Sequence, residues 1–293
     1  MEQRTVDLGG PVHYADFGGP QQGPPIVLVH GLGGSHANWL AVGPKLALLG
    51  RVFALDLAGH GRTGSLGQSA KIHDNQALLG RFIAKVAGPK AVVMGNSMGG
   101  YLALRLAADE PGKVSALVLV DPALPRAPGA RIDSKVLALF AGLAVPGLGA
   151  LILKRRARGG PEEGMRRILE LCCVDPSRIP RDVYEAHLQL ARERERQGEA
   201  VLKDFLDAAR SLIAALFHRP QFFEMVARVQ ARTLIVQGAQ DRLVPLASAR
   251  ALAAARPDWQ LEVLEGVGHI PQLEAPERFL ALVEPFLRRA PLV

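Results

Sequence analysis

The sequence predicts an α/β fold: a mostly parallel sheet covered by helices on both faces and interrupted by one all-helical block. Three observations predict it. Short apolar runs alternate with helical stretches through the first 120 or so residues, the alternation stops between residues 122 and 230, and it resumes towards the C-terminus. Short apolar runs separated by helices imply strands buried on both sides, with helical crossovers between parallel neighbours.

Taken in order, residues 4–7 and 12–16 predict an antiparallel hairpin at the sheet edge. Ile26–Val29 is a compact apolar strand ending at His30-Gly31, and residues 51–55 form another ending at Asp56. Residues 70–86 place Ile72, Leu79, Phe82, Ile83 and Val86 at helical spacing. The strand 91–94 breaks into Gly95-Asn96-Ser97-Met98-Gly99-Gly100, and residues 101–108 continue as a helix that Pro111-Gly112 closes. Val114–Val120 is the next buried strand. Residues 233–236 and 261–264 read as strands, 247–255 and 276–287 as helices. A helical block between two strand-bearing parts of one sheet reads as an insertion. The expected division is a core of residues 1–121 and 231–293, with an inserted helical cap at 122–230.

Composition bounds the function. A chain of 293 residues with 48% hydrophobic and 22% charged residues is globular and can bury a substantial core. The net charge of +7 invites a nucleic-acid reading, but aromatics are 5% of the chain. No RNA-binding motif or long basic arm is present, so no nucleic-acid partner is expected. Residues 122–230 carry 18 Lys+Arg against 13 Asp+Glu, most of the excess. Such a segment suggests an anionic surface or substrate, with solvated arginines as the simpler explanation. Cys172 and Cys173 are adjacent and cannot staple distant segments. No CxxC or HExxH spacing occurs and the histidines are scattered, so no metal site is expected. The opening MEQRTVDLGG lacks the layout of a signal peptide, which makes a cytoplasmic protein the expectation.

The stretch 136–153 is 18 residues without a charge, between Lys135 and the run Lys154, Arg155, Arg156, Arg158. Its length brushes that of a spanning helix. Gly142, Pro146, Gly147 and Gly149 interrupt it, and Pro146-Gly147-Leu148-Gly149 predicts a turn between two short apolar helices, buried or lining a pocket, with weak membrane-surface contact as the rival. The side chains expected over the site are Leu137, Leu139, Phe140, Leu143, Leu148, Leu151 and Ile152.

The pentapeptide Gly95-Asn96-Ser97-Met98-Gly99 sits where a buried strand enters and a helix leaves. A serine on so tight a turn projects its hydroxyl away from the sheet, and glycines two residues before and after relieve the crowding. The helix start supplies backbone N–H groups and a positive dipole end, which favour developing negative charge. Serine is a weak nucleophile near neutral pH and needs a base. His269 follows the last strand, so it falls at the sheet edge that holds Ser97. His30 and His60 precede glycines in early loops, His187 and His218 lie in the helical block, and His13, His36 and His73 lack a comparable context. All seven read as structural or solvated.

An acid should orient the histidine. Asp241, after the strand 233–236, and Asp121, at the end of Val114–Val120, both fall at that edge. Asp56 reads as structural. An oxyanion needs two donors: the Met98 N–H after the serine, and the Leu32 N–H in His30-Gly31-Leu32-Gly33-Gly34. That loop lacks GxGxxG spacing and the GxxxxGK[ST] lysine, which discounts a nucleotide.

Together these segments resemble the α/β-hydrolase superfamily: HGLGG at 30–34, DLAGHG at 56–61, GNSMGG at 95–100, GAQDRLVP at 238–245 and GVGHIPQLEAPE at 266–277. The resemblance covers nearly the whole chain. It implies an eight-stranded, mostly parallel sheet with a helical cap over the active site. The order Ser97, Asp241, His269 is the one expected of such hydrolases, which favours Asp241 over Asp121. Members that dehalogenate or open epoxides carry an aspartate where this chain has Ser97, so those reactions are disfavoured. The GNSMGG elbow is similar to that of carboxylesterases and monoacylglycerol-type lipases, and also to hydrolases that cleave carbon–carbon bonds in ring-cleavage products. HGLGGSHANW is the simpler esterase form of the oxyanion loop. The expectation is a serine esterase acting on small or medium apolar acyl groups, without metal or organic cofactor. A C–C hydrolase, a perhydrolase or haloperoxidase side activity, and a ligand-binding protein on the same fold are the alternatives.

Overall fold

A computed structural model describes residues 1–65 and 69–289; residues 66–68, and 290–293 at the end of the expected core segment, lie outside it. The strands are β1 (Glu2–Asp7), β2 (Pro11–Gly18), β3 (Ile26–Val29), β4 (Val52–Leu55), β5 (Ala91–Asn96), β6 (Val114–Val120), β7 (Arg232–Gly238) and β8 (Gln260–Leu264). They form an eight-stranded sheet in the order β1-β2-β4-β3-β5-β6-β7-β8. The β1–β2 hairpin is antiparallel at the edge, as expected, and β2 also runs antiparallel to β4, while β3 to β8 are parallel. From β3 the chain steps outward to β4 and then returns to β5 on the other side. The order therefore reverses between β3 and β5, and the loops leaving these two strands hold residues 30–34 and Ser97. Open parallel sheets bind ligands at such a switch point.

Two layers follow from the alternation of side chains along the strands. On one face Val27, Val29, Phe53, Leu55, Val93, Leu117 and Ile235 pack against α2 (Ile72–Phe82) and α3 (Met98–Asp109). On the other, Ile26, Leu28, Val52, Met94, Val118 and Val236 pack against Trp39, against Leu46 of the short α1 (Gly43–Leu46), and against Phe279 and Val283 of the C-terminal helix Pro276–Arg288. Each fully buried Val, Leu or Ile contributes about 1.5–3 kcal/mol. Strand β5 runs two residues past the apolar run because Gly95 and Asn96 still pair with Leu119 and Val120. Strand β7 reaches Gly238 for the same reason, pairing with Leu264.

Between β6 and β7 the described residues hold helices only: α4 (Ser134–Ala144), α5 (Leu148–Ala157), α6 (Gly160–Cys172), α7 (Arg181–Glu195), α8 (Glu199–Phe217) and α9 (Arg219–Ala227). Helices α10 (Leu246–Ala255), α11 (Pro271–Glu274) and α12 (Pro276–Arg288) complete the chain. The block is anchored to loops that leave the C-terminal ends of the strands. Phe205 of α8 abuts Gly33 after β3. Arg194 of α7 donates to the Gly59 and Gly61 carbonyls after β4 at 2.7 and 3.0 Å. Arg242 after β7 pairs with Asp133, and the His269 N–H after β8 donates to the Cys172 carbonyl at 2.6 Å. The last helix, α9, stacks Phe222 on Tyr101 of α3 and so belongs to the layer that covers the sheet.

The turn between α4 and α5 falls at residues 145–147, so the expected turn at 146–149 is met at Pro146 and Gly147 while Leu148 and Gly149 already open α5, and no helix among the described residues is long and apolar enough to cross a membrane. The expectation that this hairpin is buried or lines a pocket requires correction where its outward face is exposed. Leu143 is buried, but Leu137, Leu148 and Leu151 are 51%, 43% and 64% exposed. The two helices pack on each other and on α8 through the opposite face, where Gly142 and Gly149 allow close approach to Ile152 and Leu143. The outward face has no element over it among the described residues.

Candidate active site

Ser97 has φ +54° and ψ −116°, a conformation that L-residues rarely adopt. The surroundings enforce it. The Ser97 N–H donates to the Val120 carbonyl at 3.0 Å, while its own carbonyl accepts from Ala123 and Tyr101 at 2.9 and 3.1 Å. The flanking glycines are required by close packing: a Cβ on Gly95 would run into the Gly99 carbonyl, and one on Gly99 into the Val29 carbonyl. The turn thus holds Ser97 half-buried at the head of α3.

His269 is 4% exposed, and its Nδ1 lies 2.7 Å from Oδ2 of Asp241. The other Asp241 oxygen accepts the Leu243 and Val244 N–H groups at 2.7 and 3.0 Å. With the carboxylate fixed in this way, Nδ1 carries the proton and Nε2 is left as the basic nitrogen. Asn96, next to Ser97, donates from Nδ2 to the His269 carbonyl and to the Val120 carbonyl, both at 3.0 Å. The structure therefore brings the elbow, Asp241 and His269 to one end of the sheet. Among the described residues no hydrogen bond joins Ser97 Oγ to the imidazole. Such contacts often tighten only when substrate is bound.

The loop after β3 lies against the elbow, since a Cβ on Gly31 would sit 3.1 Å from that of Ser97. Gly33, at φ +75°, and the Gly34 N–H to Gly31 carbonyl bond of 3.0 Å fold it into a tight turn. The Leu32 N–H donates to no backbone group among the described residues, and Met98, as the first residue of α3, has no intrahelical acceptor. Both candidate oxyanion donors are available.

Four of the remaining histidines are engaged elsewhere. His30 is fully buried, its Nε2 accepts from the Leu57 N–H at 3.1 Å, and burial pushes its pKa down to about 4. His60 is lowered to about 3, burial again being the main cause. His13 and His36 donate to Asp56 from Nδ1 at 2.7 and 3.0 Å, and Asp56 also accepts the His36 and Arg62 N–H groups. Burial works against the Asp56 charge, but the hydrogen bonds from His13 and His36 outweigh it and hold the carboxyl well below the usual range. A His13, His36, Asp56 cluster is compact enough to suggest a metal, yet both Nδ1 atoms already donate to the Asp56 carboxylate.

Comparison with known proteins places the fold in a family. The sequence profile described as "Alpha/beta hydrolase family" matches residues 26–282. The chain belongs to the alpha/beta hydrolase family. It is 29% identical to the dihydrolipoyllysine-residue acetyltransferase component of the acetoin cleaving system of Pseudomonas putida, over 98% of this chain and 69% of that protein. It is 26% identical to 2-hydroxy-6-oxononadienedioate/2-hydroxy-6-oxononatrienedioate hydrolase 1 of Pseudomonas putida, over 96% of this chain and 93% of the relative. In structure it is similar to a putative lipase from Acinetobacter baumannii, with a TM-score of 0.78, 24% identity and coverage of 99% and 91% of the two chains; this likeness concerns the fold.

Three buried side chains of this alpha/beta hydrolase site escaped the sequence reading. Asn96 rivets the elbow to the His269 loop, as described. Gln237 donates from Nε2 to Asp121 Oδ1 at 2.8 Å and to Asp241 Oδ2 at 3.1 Å. Glu274 accepts the Gly268 N–H at 2.7 Å and the Val174 and Asp175 N–H groups at 2.8 Å, which clamps the His269 loop to the end of α6. Asn96 lies within the GNSMGG segment and Glu274 within GVGHIPQLEAPE, but neither segment tells which groups they hold, and Gln237 falls one residue before GAQDRLVP.

Proposed function

We propose that the protein hydrolyses carboxylic esters of small or medium apolar acyl groups through an acyl-enzyme on Ser97. The observation that carries the reading is the strained serine at the head of α3, on the same sheet end as the 2.7 Å Asp241–His269 pair. Ser97 Oγ attacks the ester carbonyl carbon and its proton passes to His269 Nε2. The Leu32 and Met98 N–H groups hold the oxyanion. His269 then protonates the leaving alcohol, and a water deprotonated by the same nitrogen releases the acid. Asp241 stabilises the imidazolium and fixes its tautomer. The helices of 122–230 act as a lid that supplies the substrate pocket, and the exposed α4–α5 hairpin makes weak contact with lipid surfaces that hold apolar substrate.

A p-nitrophenyl ester series tests the reaction and the pocket. Wild type should turn over acetate to octanoate esters with kcat/KM rising to a medium chain, and Ser97→Ala should lose about 10³-fold or more. A variant with near-normal turnover would remove Ser97 from the chemistry.

A second reading is favoured by one comparison. Relatives named as 2-hydroxy-6-oxononadienedioate/2-hydroxy-6-oxononatrienedioate hydrolases match at 26–27% identity over about nine-tenths of their length. Hydrolysis of a vinylogous 1,5-diketone would use the same serine, histidine and oxyanion loop on a carbon leaving group. Parallel assays with a 2-hydroxy-6-oxo-dienoate separate the readings: turnover of that compound with inert p-nitrophenyl esters would replace the ester assignment.

A further inference from the structure

Asp121 sits at the end of β6 with no exposed surface and a φ of +43°. Among the described non-glycine residues only Ser97 shares a positive φ. Its Oδ1 accepts two hydrogen bonds at 2.8 Å, from the Gly238 N–H and from Gln237 Nε2. Its Oδ2 is buried and receives none. The neighbouring Asp241 has donors on both oxygens: two backbone N–H groups on Oδ1, and Gln237 Nε2 and the His269 ring on Oδ2. One oxygen of each carboxyl and a ring nitrogen of His269 all lie within 4.8 Å of one another.

Two buried carboxyls this close do not both ionise. The donors decide which one does: Asp241 is solvated by the protein on both oxygens and holds the charge, while the bare Oδ2 of Asp121 is where the proton must sit. We propose that Asp121 is a positioning residue, a carboxylic acid whose Oδ2–H donates to the Asp241 carboxylate and holds it against His269. Burial and the Asp241 charge push the Asp121 carboxyl well above the usual range, outweighing the Gly238 N–H that works the other way. The titratable groups around it are Asp241, His269, Glu274 and the Cys172 thiol. The role rests on the ester-hydrolase reading for its kinetic consequence but not for the proton itself.

Asp121→Asn keeps the shape and supplies an N–H in place of the O–H; Asp121→Ala removes the donor. For p-nitrophenyl butyrate, Asp121→Asn should stay within about threefold of wild type, and Asp121→Ala should lose about ten- to a hundredfold in kcat with little change in KM. Asp241→Asn should retain more activity than the Asp121→Asn/Asp241→Asn double variant, because Asp121 becomes free to ionise once Asp241 is neutral. An Asp121→Asn loss as large as that of Asp241→Asn would overturn the proposal, since Asp121 would then carry the charge. Infrared spectroscopy reads the proton without substrate: wild type at neutral pH should show the C=O stretch of a protonated carboxyl that Asp121→Asn lacks. An identical spectrum for the two proteins would equally overturn it. Absence of esterase activity in a wild type that shows the band would instead count against the ester reading alone.

Discussion

At the scale of single residues, the site is built by packing that excludes alternatives. Gly99 has no room for a side chain beneath β3, so Gly99→Ala should destabilise by about 1–3 kcal/mol or more, read as a lower urea midpoint, and should reduce labelling of Ser97. Cys172 lends its carbonyl to the His269 N–H, and its thiol is buried. Burial pushes that thiol up to about 12, so it should resist thiol reagents at pH 8 in the folded protein and react fully in denaturant. Rapid modification of native Cys172 would contradict the buried placement. Ser97, Asp241 and His269 were legible as candidates because each sits in a segment whose residue types and order carry a mechanism. Asn96 and Gln237 were not, because their partners lie 173 and 116 residues away and meet them only when β5, β6, β7 and the His269 loop converge. Asp121 was legible as a rival acid, but its protonation depends on a count of donors that no sequence contains.

At the scale of elements, the strands were the most readable parts. Apolar runs such as Ile26–Val29 and Val114–Val120 coincide with β3 and β6 to the residue. The ends of β5 and β7 were less so, since pairing with a neighbour extends them through Gly95-Asn96 and Gly238, which have no strand propensity of their own. The α4–α5 hairpin is two helices, as expected, but one of its faces is exposed where burial or a pocket was expected. Apolar composition does not say which face meets the protein, and here Leu137, Val145, Leu148 and Leu151 look outward beside the exposed Lys135, Arg155 and Arg158. If that face meets lipid, the protein should co-sediment with vesicles rich in phosphatidylglycerol more than with neutral phosphatidylcholine vesicles, and Leu148→Asp/Leu151→Asp should abolish the difference. Equal sedimentation of the double variant, or a wild-type dimer that the variant dissolves without any vesicle binding, would remove lipid as the partner.

At the scale of the whole molecule, burial of titratable groups gives stability a predictable pH dependence. His30 and His60 ionise near 6.5 when unfolded but near 4 and 3 when folded, so the unfolded chain binds more protons between these values. Stability is therefore full above pH 6.5 and is lost as the pH falls towards 4, by about 3 kcal/mol for His30 alone. Asp121 has the opposite sign: its raised carboxyl favours the folded state at low pH, and that contribution fades as the pH rises. Calorimetry should show wild-type Tm falling from pH 7 to pH 4.5. Asp121→Asn should be the more stable protein at pH 7, with a margin that shrinks towards pH 4.5; a constant margin would contradict the assignment of the proton. The overall architecture was legible because alternation, interruption and resumption of one pattern along the chain map onto one sheet with a helical block inserted between β6 and β7.

The central claim is an activated serine, and fluorophosphonate labelling of purified protein tests it most directly. Wild type should be labelled with one equivalent at Ser97, and Ser97→Ala should not be labelled while keeping its fold. Equal labelling of both, or none of a folded wild type, would contradict the account.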